Sequence, residues 1–312
     1  KELGLLNKSI IFDFKENQLT GEIPKELGNL SALRQLDITA NQLIGNIPIE
    51  LGQASSLVHL RLSHNRLIGT IPSSFEELQS LEELSLWSNQ LVGKIPSGLG
   101  KLTQMAVLNL ASNQLSGPIP PELAQSSRLV KIQLDSNRLS GPIPREFGNL
   151  SALKDLSLGE NQLTGRIPKT LGMLTKLRWL NLCQNHLEGD IPITLGKLRK
   201  RLRWLHLDSN SLSGRLPRIL GELRGLQVLD LSNNSFEGAV THVNWLRLKR
   251  LRIFSLGKNF FTGPLPELPV TLDTLDLSHN AFSGNLQVLT QPFCNISGSN
   301  LEEIHLNHNQ LT

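Results

Sequence analysis

The chain has 312 residues and a net charge of +4, and 65 of its residues are leucine. With 39% hydrophobic and 19% charged residues it is too apolar for a disordered chain, and it has no run of apolar residues long enough to span a membrane. Two cysteines are too few for a disulfide framework or a four-ligand zinc site, and the small positive charge does not predict nucleic-acid binding.

A period of 24 residues runs along the chain and is marked by asparagine. Asparagines recur every 24 residues from Asn17 to Asn185, and then at spacings of 21 to 29 as far as Asn309. The recurring frame is L-x-x-L-x-L-x-x-N-x-L, as in residues 33–43. Glycine follows four residues after each of the first twelve asparagines, and Ile-Pro or Leu-Pro comes next in ten of them. This period predicts a stack of similar coils.

Within one coil, L-x-L predicts a short strand whose leucines face the core and whose x residues face solvent. The asparagine amide, at the following bend, can donate to and accept from unpaired backbone groups of the bend and of the next coil. Glycine then permits a positive φ, and Ile-Pro predicts an extended segment on the back of the coil. The L-G-x-L that follows brings two more leucines inward. One coil cannot bury enough apolar surface to fold alone, so its stability requires stacking.

The full frame, L-x-x-L-x-L-x-x-N-x-L-x-G-x-I-P-x-x-L-G-x-L, resembles the plant-type leucine-rich repeat over essentially the whole chain. The resemblance implies an α/β solenoid, a curved superhelix with a parallel concave sheet and about 12–13 coils. Residues 1–312 are expected to form this single solenoid. Departures from the frame at residues 236–246 and 264–269 are similar to segments of receptor-like proteins. Both ends fall within a repeat, so the chain resembles a fragment that lacks both capping modules.

Outward-facing strand positions are the candidate ligand-binding positions. The sixth residue before the asparagine is apolar in four consecutive coils, which places two tryptophans side by side. Clustered exposed aromatic side chains favour partner binding, but the same residues could instead pack against the flank of the coil. The candidate ligand-binding residues are Trp179, Trp204, His206, Asp208, Val228, Asp230, Ile253, Arg178, Arg203 and Arg252.

Positive charge lies beside this apolar stripe. Residues 194–258 contain 13 Lys/Arg and 4 Asp/Glu, a net charge of +9. Arg178, Arg203 and Arg252 share the position next to the stripe, seven residues before the asparagine. An apolar stripe with an arginine rim suits an acidic peptide, a C-terminal carboxylate or an acidic glycan. The alternative interpretation is a solvated flank, which charge runs usually form.

The sequence predicts neither catalysis nor a bound metal or cofactor. It contains no Gly-rich phosphate loop, H-E-x-x-H or G-x-S-x-G motif. His279, His305 and His308 could approach one another on adjacent coils, but we expect exposed strand residues and not metal ligands. Cys183 and Cys294 are more than four coils apart and should not pair, so a thiol is expected at Cys183. Cys294 is either a thiol or paired with a cysteine outside this sequence.

N-x-S sequons indicate possible glycosylation of an extracellular chain. A glycan on Asn233, the fourth sequon, would obstruct the concave face near the apolar stripe and would count against the stripe as a binding site. The five sequon asparagines are Asn7, Asn29, Asn149, Asn233 and Asn295.

The resemblance implies an extracellular ligand-recognition module of a receptor ectodomain, in signalling or immunity. Its expected ligand is a peptide, protein or glycan on the concave face, and its expected partner is a shorter leucine-rich-repeat co-receptor kinase. No enzyme activity and no nucleic-acid binding are expected, and membrane attachment would come only from segments outside this sequence. Two alternatives are a secreted inhibitor of a cell-wall-degrading enzyme and an intracellular scaffold.

Overall fold

The computed structural model describes residues 6, 8–287, 289 and 301–312. The chain comprises two compact units, residues 1–162 and 163–312. Both units stack the same coil, so the predicted leucine-rich-repeat solenoid with a parallel sheet is confirmed. No helix among the described residues is long and apolar enough to cross a membrane.

In the first unit the L-x-L segments form parallel strands that pair in chain order. These strands are β1 (Ile11–Asp13), β2 (Gln35–Asp37), β3 (His59–Arg61), β4 (Glu83–Ser85), β6 (Val107–Asn109), β8 (Lys131–Gln133) and β10 (Asp155–Ser157). A second parallel set follows the asparagines and consists of β5 (Val92–Gly93), β7 (Gln114–Pro118) and β9 (Arg138–Pro142). The 3-10 helices are Lys25–Asn29, Ile49–Gln53, Ser73–Glu77, Ser97–Lys101, Pro121–Gln125 and Arg145–Asn149.

The second unit repeats this arrangement. Its L-x-L strands are β12 (Trp179–Asn181), β14 (Trp204–His206), β16 (Val228–Asp230), β18 (Ile253–Ser255), β20 (Thr274–Asp276) and β22 (Glu303–His305). The second set is β11 (Gln162–Arg166), β13 (His186–Gly189), β15 (Ser211–Gly214), β17 (Ser235–Gly238), β19 (Phe260–Pro264), β21 (Ala281–Gly284) and β23 (Gln310–Leu311). The 3-10 helices are Lys169–Met173, Ile193–Leu198, Arg218–Glu222 and Trp245–Arg247.

The leucines of the frame form the core, as the alternation predicts. In a typical coil Leu60, Leu62 and Leu67 are fully buried. Phe236, Phe261 and Phe282 replace leucine after the asparagine in the second unit, and their rings stack with centroids 6.2 and 6.0 Å apart. Burying each of these side chains stabilises the stack by roughly 1.5–3 kcal/mol.

The asparagine side chains form a ladder of hydrogen bonds between coils. Asn65 Nδ2 donates to the carbonyl oxygens of Leu62 and Ser63 in its own bend, and to that of Ile38 in the preceding coil. Asn65 Oδ1 accepts from the Leu43 N–H at 3.0 Å. The expected donor and acceptor roles are correct. The expected neighbour is wrong, because Asn65 binds backbone groups of the preceding coil and not of the next coil.

Two backbone features place the bend. Each glycine four residues after an asparagine has positive φ, as expected. The residue immediately before each asparagine also has a positive φ, between 50° and 57°, although none of these residues is glycine. This left-handed conformation costs an ordinary side chain about 1–2 kcal/mol. It was not anticipated from the sequence, because serine, glutamate, histidine and alanine all occur there.

The back of the coil differs from the extended segment that Ile-Pro predicts. Proline is extended, as at Pro48 with φ −62° and ψ 132°, but a 3-10 helix begins directly after it. Successive helices pack closely at the glycine of L-G-x-L. A Cβ on Gly28 would lie 2.0 Å from the Glu50 carbonyl oxygen, and one on Gly100 would lie 2.1 Å from that of Glu122. Glycine at these two positions therefore permits the close approach between coils.

Candidate ligand-recognition face of the second unit

Four neighbouring strands of the second unit display the candidate residues in register. Trp179 of β12 pairs with Trp204 of β14, which pairs with Val228 of β16 and then with Ile253 of β18. The alternation of the L-x-L segment turns these side chains away from the buried leucines. We call these four residues the apolar stripe.

An aromatic cluster lies at one end of the apolar stripe. The Trp179 and Trp204 rings are tilted by 41°, with centroids 5.4 Å apart, and the His206 ring lies 5.4 Å from Trp179. Both tryptophans are half-buried, whereas Ile253 is 38% exposed. Each indole therefore packs partly against its neighbours and partly faces solvent, which combines features of the binding and packing interpretations.

A row of polar groups runs beside the apolar stripe. His206 lies directly across from Asp230 on the neighbouring strand, and Asp208 follows His206 by two residues. Burial lowers the pKa of His206, against an opposing effect of Asp230. Burial, and then the negative charge of Asp230, raise the pKa of Asp208 to about 6. Asp230 accepts hydrogen bonds from the N–H and hydroxyl of Ser232 at 3.0 and 2.7 Å.

The arginines predicted to rim the apolar stripe have different surroundings. Arg178 is exposed and Arg203 is half-buried. Arg252 donates to Asp273 Oδ1 at 3.0 Å, so part of its charge is already neutralised. Arg203 is therefore the better candidate for an anion contact beside the tryptophans.

Four other basic residues of the segment form a separate surface on the turns before the strands. Arg199, Lys200, Arg224 and Arg250 line an open groove of about 380 Å³ together with Glu222. Glu222 also forms ion pairs with Arg224, at 3.4 Å, and with Arg247. These residues belong to the 3-10 helices and to the turns after them, and not to the L-x-L strands, so the basic segment does not form one continuous rim.

The strand face of the first unit is mostly polar at the equivalent positions. Gln35, His59, Glu83, Lys131 and Asp155 occur there, and the apolar Ile11 and Val107 are separated from each other by three polar positions. Part of its charge is paired on the face itself, because Arg61 forms ion pairs with both Glu83 and Asp37. The Glu83 hydrogen bond is the main cause of a raised pKa at Arg61. The apolar stripe therefore distinguishes the second unit.

The remaining candidates are placed as follows. Asn29 and Asn149 are exposed at the last residue of their 3-10 helices, and Asn233 is exposed just before a ladder asparagine. Asn7, Asn295 and Cys294 lie outside the described residues, and Cys183 is half-buried in the outward row beside Asp208. His279 and His308 stack with centroids 4.2 Å apart.

Comparison with protein families agrees with this geometry. Models described as leucine-rich repeat region and leucine-rich repeat match residues 14–116, 127–187, 201–223 and 225–245. The chain is a leucine-rich-repeat protein. All of these matching models describe the repeat, and none describes an enzyme. No curated protein sequence matches the chain significantly.

Solved structures of plant receptor ectodomains share this leucine-rich-repeat fold. The ectodomain of the receptor kinase GASSHO1/SCHENGEN3 from Arabidopsis thaliana, in complex with CASPARIAN STRIP INTEGRITY FACTOR 2, is 37% identical over 99% of this chain and 37% of its own, with a TM-score of 0.93. PEPR1 with AtPEP1 is 33% identical over 99% of this chain and 46% of its own, with a TM-score of 0.86. The Arabidopsis receptor kinase HAESA, in complex with the peptide hormone IDA and the co-receptor SERK1, is 33% identical over 97% of this chain and 58% of its own, with a TM-score of 0.70. The chain thus spans 37% to 58% of their lengths.

Proposed function

We propose that this leucine-rich-repeat chain is a ligand-recognition module of an extracellular receptor ectodomain, and that it binds a peptide along the apolar stripe. The observation that carries the proposal is the register of Trp179, Trp204, Val228 and Ile253 across four adjacent strands. An extended peptide crossing these strands meets one outward side chain about every 4.8 Å. Its affinity comes mainly from the two half-buried indoles, because aromatic anchors dominate binding energy.

The surroundings of the apolar stripe favour a peptide with a free carboxylate. Arg203 is adjacent in sequence to Trp204, and among the described residues it forms no ion pair. A guanidinium can hold a carboxylate through two parallel hydrogen bonds. The stacked coils also hold the outward side chains in place before binding, which reduces the entropy lost on association.

The solved relatives support a peptide over other ligand classes. The crystal structure of HAESA contains a peptide hormone and a co-receptor. By this similarity we extend the proposal to a shorter leucine-rich-repeat co-receptor kinase as the second partner. Asn29 and Asn149 are our proposed glycosylation sites, because both are exposed and neither lies on the L-x-L strands. In this proposal the chain acts by binding and not by catalysis.

The experiment measures the affinity of the purified chain for a panel of short synthetic peptides, each prepared with a free and with an amidated C-terminus. We expect micromolar or tighter binding of at least one free-carboxylate peptide, and weaker binding of its amide. Trp179→Ala with Trp204→Ala should reduce the affinity at least tenfold, which corresponds to about 1.4 kcal/mol. Trp87→Ala removes an indole from the first unit, where it contacts His64, and should leave the affinity unchanged.

Two results would contradict the proposed site. Equal loss of affinity in the Trp87 variant and in the Trp179/Trp204 variant would show that the apolar stripe is not the binding surface. Failure of every peptide in the panel to bind would remove the peptide as the ligand class.

A further inference from the structure

Three potential metal ligands converge beside the apolar stripe. His206 ends β14, Asp208 follows on the same outward row, and Asp230 lies directly across from His206 on β16. One nitrogen of the imidazole and one oxygen of each carboxylate all lie within 4.8 Å of one another. Among the residues that the structure describes, this is the one such group of three.

The imidazole of His206 provides an independent indication of a ligand. Its Nε2 atom is shielded from solvent and has no hydrogen-bond partner among the described residues. A buried polar atom without a partner costs about 1–3 kcal/mol, so a native fold normally supplies one. An unprotonated Nε2 with no donor nearby has a lone pair available for a metal ion.

The two carboxylates add negative charge that no basic side chain neutralises. Neither Asp208 nor Asp230 forms an ion pair with lysine or arginine within the described part of the chain. Both aspartates are half-buried, and an oxygen of one lies within 4.8 Å of an oxygen of the other. A cation between them would offset the repulsion and the desolvation of both groups.

We propose that His206, Asp208 and Asp230 form a binding site for a divalent transition-metal ion, with Zn²⁺ as the best-fitting ion. One imidazole nitrogen and two carboxylate oxygens suit Zn²⁺, which accepts four such ligands in a tetrahedral arrangement. Ca²⁺ takes six to eight oxygen ligands, and an imidazole nitrogen is not one of its usual ligands. Three protein ligands leave the fourth position of Zn²⁺ open on the strand face. The site rests on its own residues and holds whether or not a peptide binds.

Isothermal titration of zinc chloride into the full chain, after removal of metals with a chelator, tests the proposal. We expect one saturable site per chain with a dissociation constant of about micromolar or below. His206→Ala and Asp230→Asn should each weaken Zn²⁺ binding at least tenfold. The matched control replaces His279 and His308, the stacked pair on the same unit, with alanine and should keep the wild-type affinity.

A spectroscopic readout locates the ion independently. The Trp179 ring lies 5.4 Å from the His206 ring, so paramagnetic Co²⁺ at the site should quench tryptophan fluorescence, and Zn²⁺ should reverse the quenching by displacement. Asp208→Asn removes one ligand without leaving a cavity and should abolish the quenching even if His206→Ala fails to fold.

The proposal fails if the wild-type chain shows no saturable Zn²⁺ binding below millimolar concentration. It also fails if folded His206, Asp208 and Asp230 variants keep the wild-type affinity, or if the His279/His308 control loses it. An oxygen-only ion such as Ca²⁺ binding more tightly than Zn²⁺ would overturn the assignment of the ion.

Discussion

Replacing one ladder asparagine with aspartate tests how the coils are held together. In Asn113, Nδ2 donates to the carbonyl oxygens of Leu86, Leu110 and Ala111, each at 3.1 Å, and Oδ1 accepts from the Leu91 N–H at 3.0 Å. Asn113→Asp keeps the size and the acceptor but removes the donor. A carboxylate oxygen would then face three carbonyl oxygens in a site where the residue is only 9% exposed.

The expected cost follows from these contacts. The loss of two donated hydrogens removes about 1 kcal/mol each, and carbonyl groups left without a donor add about 1–3 kcal/mol. The sum is a destabilisation of about 3–5 kcal/mol. For a unit of this size that lowers the melting temperature by roughly 10 °C.

Asn17→Asp is the matched control. Asn17 is exposed, and among the described residues its Nδ2 donates only to the Phe14 and Lys15 carbonyl oxygens of its own bend, so water can replace both bonds. We expect a cost below about 1 kcal/mol for this variant. Urea denaturation followed by circular dichroism gives both free energies of unfolding. Equal costs for the two variants would refute the view that the ladder stabilises the stack through contacts between coils.

Three further predictions concern helix packing, pH and charge. Gly100→Ala should cost about 2–3 kcal/mol in urea denaturation, because its Cβ would lie 2.1 Å from the Glu122 carbonyl oxygen. Burial raises the pKa of Asp135 above its ordinary value of 3.8. The folded chain therefore favours the protonated carboxyl group, and the stability that this group contributes at low pH is lost as the pH rises and the group ionises. Asp135→Asn should therefore raise the melting temperature at pH 7, with the gain shrinking as the pH falls below the ordinary pKa. Arg203→Glu should weaken binding of a free-carboxylate peptide several-fold in a titration at low salt, and high salt should reduce the difference.

Each of these three predictions has a control variant or a result that would contradict it. Gly214 has a positive φ of 82° but nothing within 4 Å of an added Cβ, so Gly214→Ala should cost only about 1 kcal/mol of backbone strain. Arg128→Glu makes the same charge change on an exposed site of the first unit and should not affect peptide binding. A gain from Asp135→Asn that does not change with pH would contradict the assigned cause.

The coil could be predicted from the sequence because its determinants repeat. Leucine alternation, asparagine at the bend and glycine four residues later each satisfy one local physical requirement, and the structure has all three where they were expected. The second set of strands and the 3-10 helices were missed because they depend on how neighbouring coils approach. The spacing along one coil contains no direct signal for the contact between Gly100 and Glu122.

The candidate site was only partly accessible to sequence reasoning. Aligning the coils on asparagine places Trp179 beside Trp204, and His206 beside Asp230, which matches the strand register. The pairing of Arg252 with Asp273 lies across a shortened repeat and did not follow from the alignment. The shielded Nε2 of His206 depends on side-chain orientation, so the metal site that we propose could not be inferred from the sequence, which predicted no bound metal.

Site-specific photo-crosslinking is the most direct test of the apolar stripe as the peptide-binding surface. A photoreactive phenylalanine analogue is placed at Val228 of β16 or, as control, at Val107 of β6, which holds the same strand position in the first unit. With a peptide selected from the panel bound, we expect a crosslink from position 228 and none from position 107. A crosslink from position 107 alone, or none from position 228 while the peptide remains bound, would contradict peptide binding on the apolar stripe.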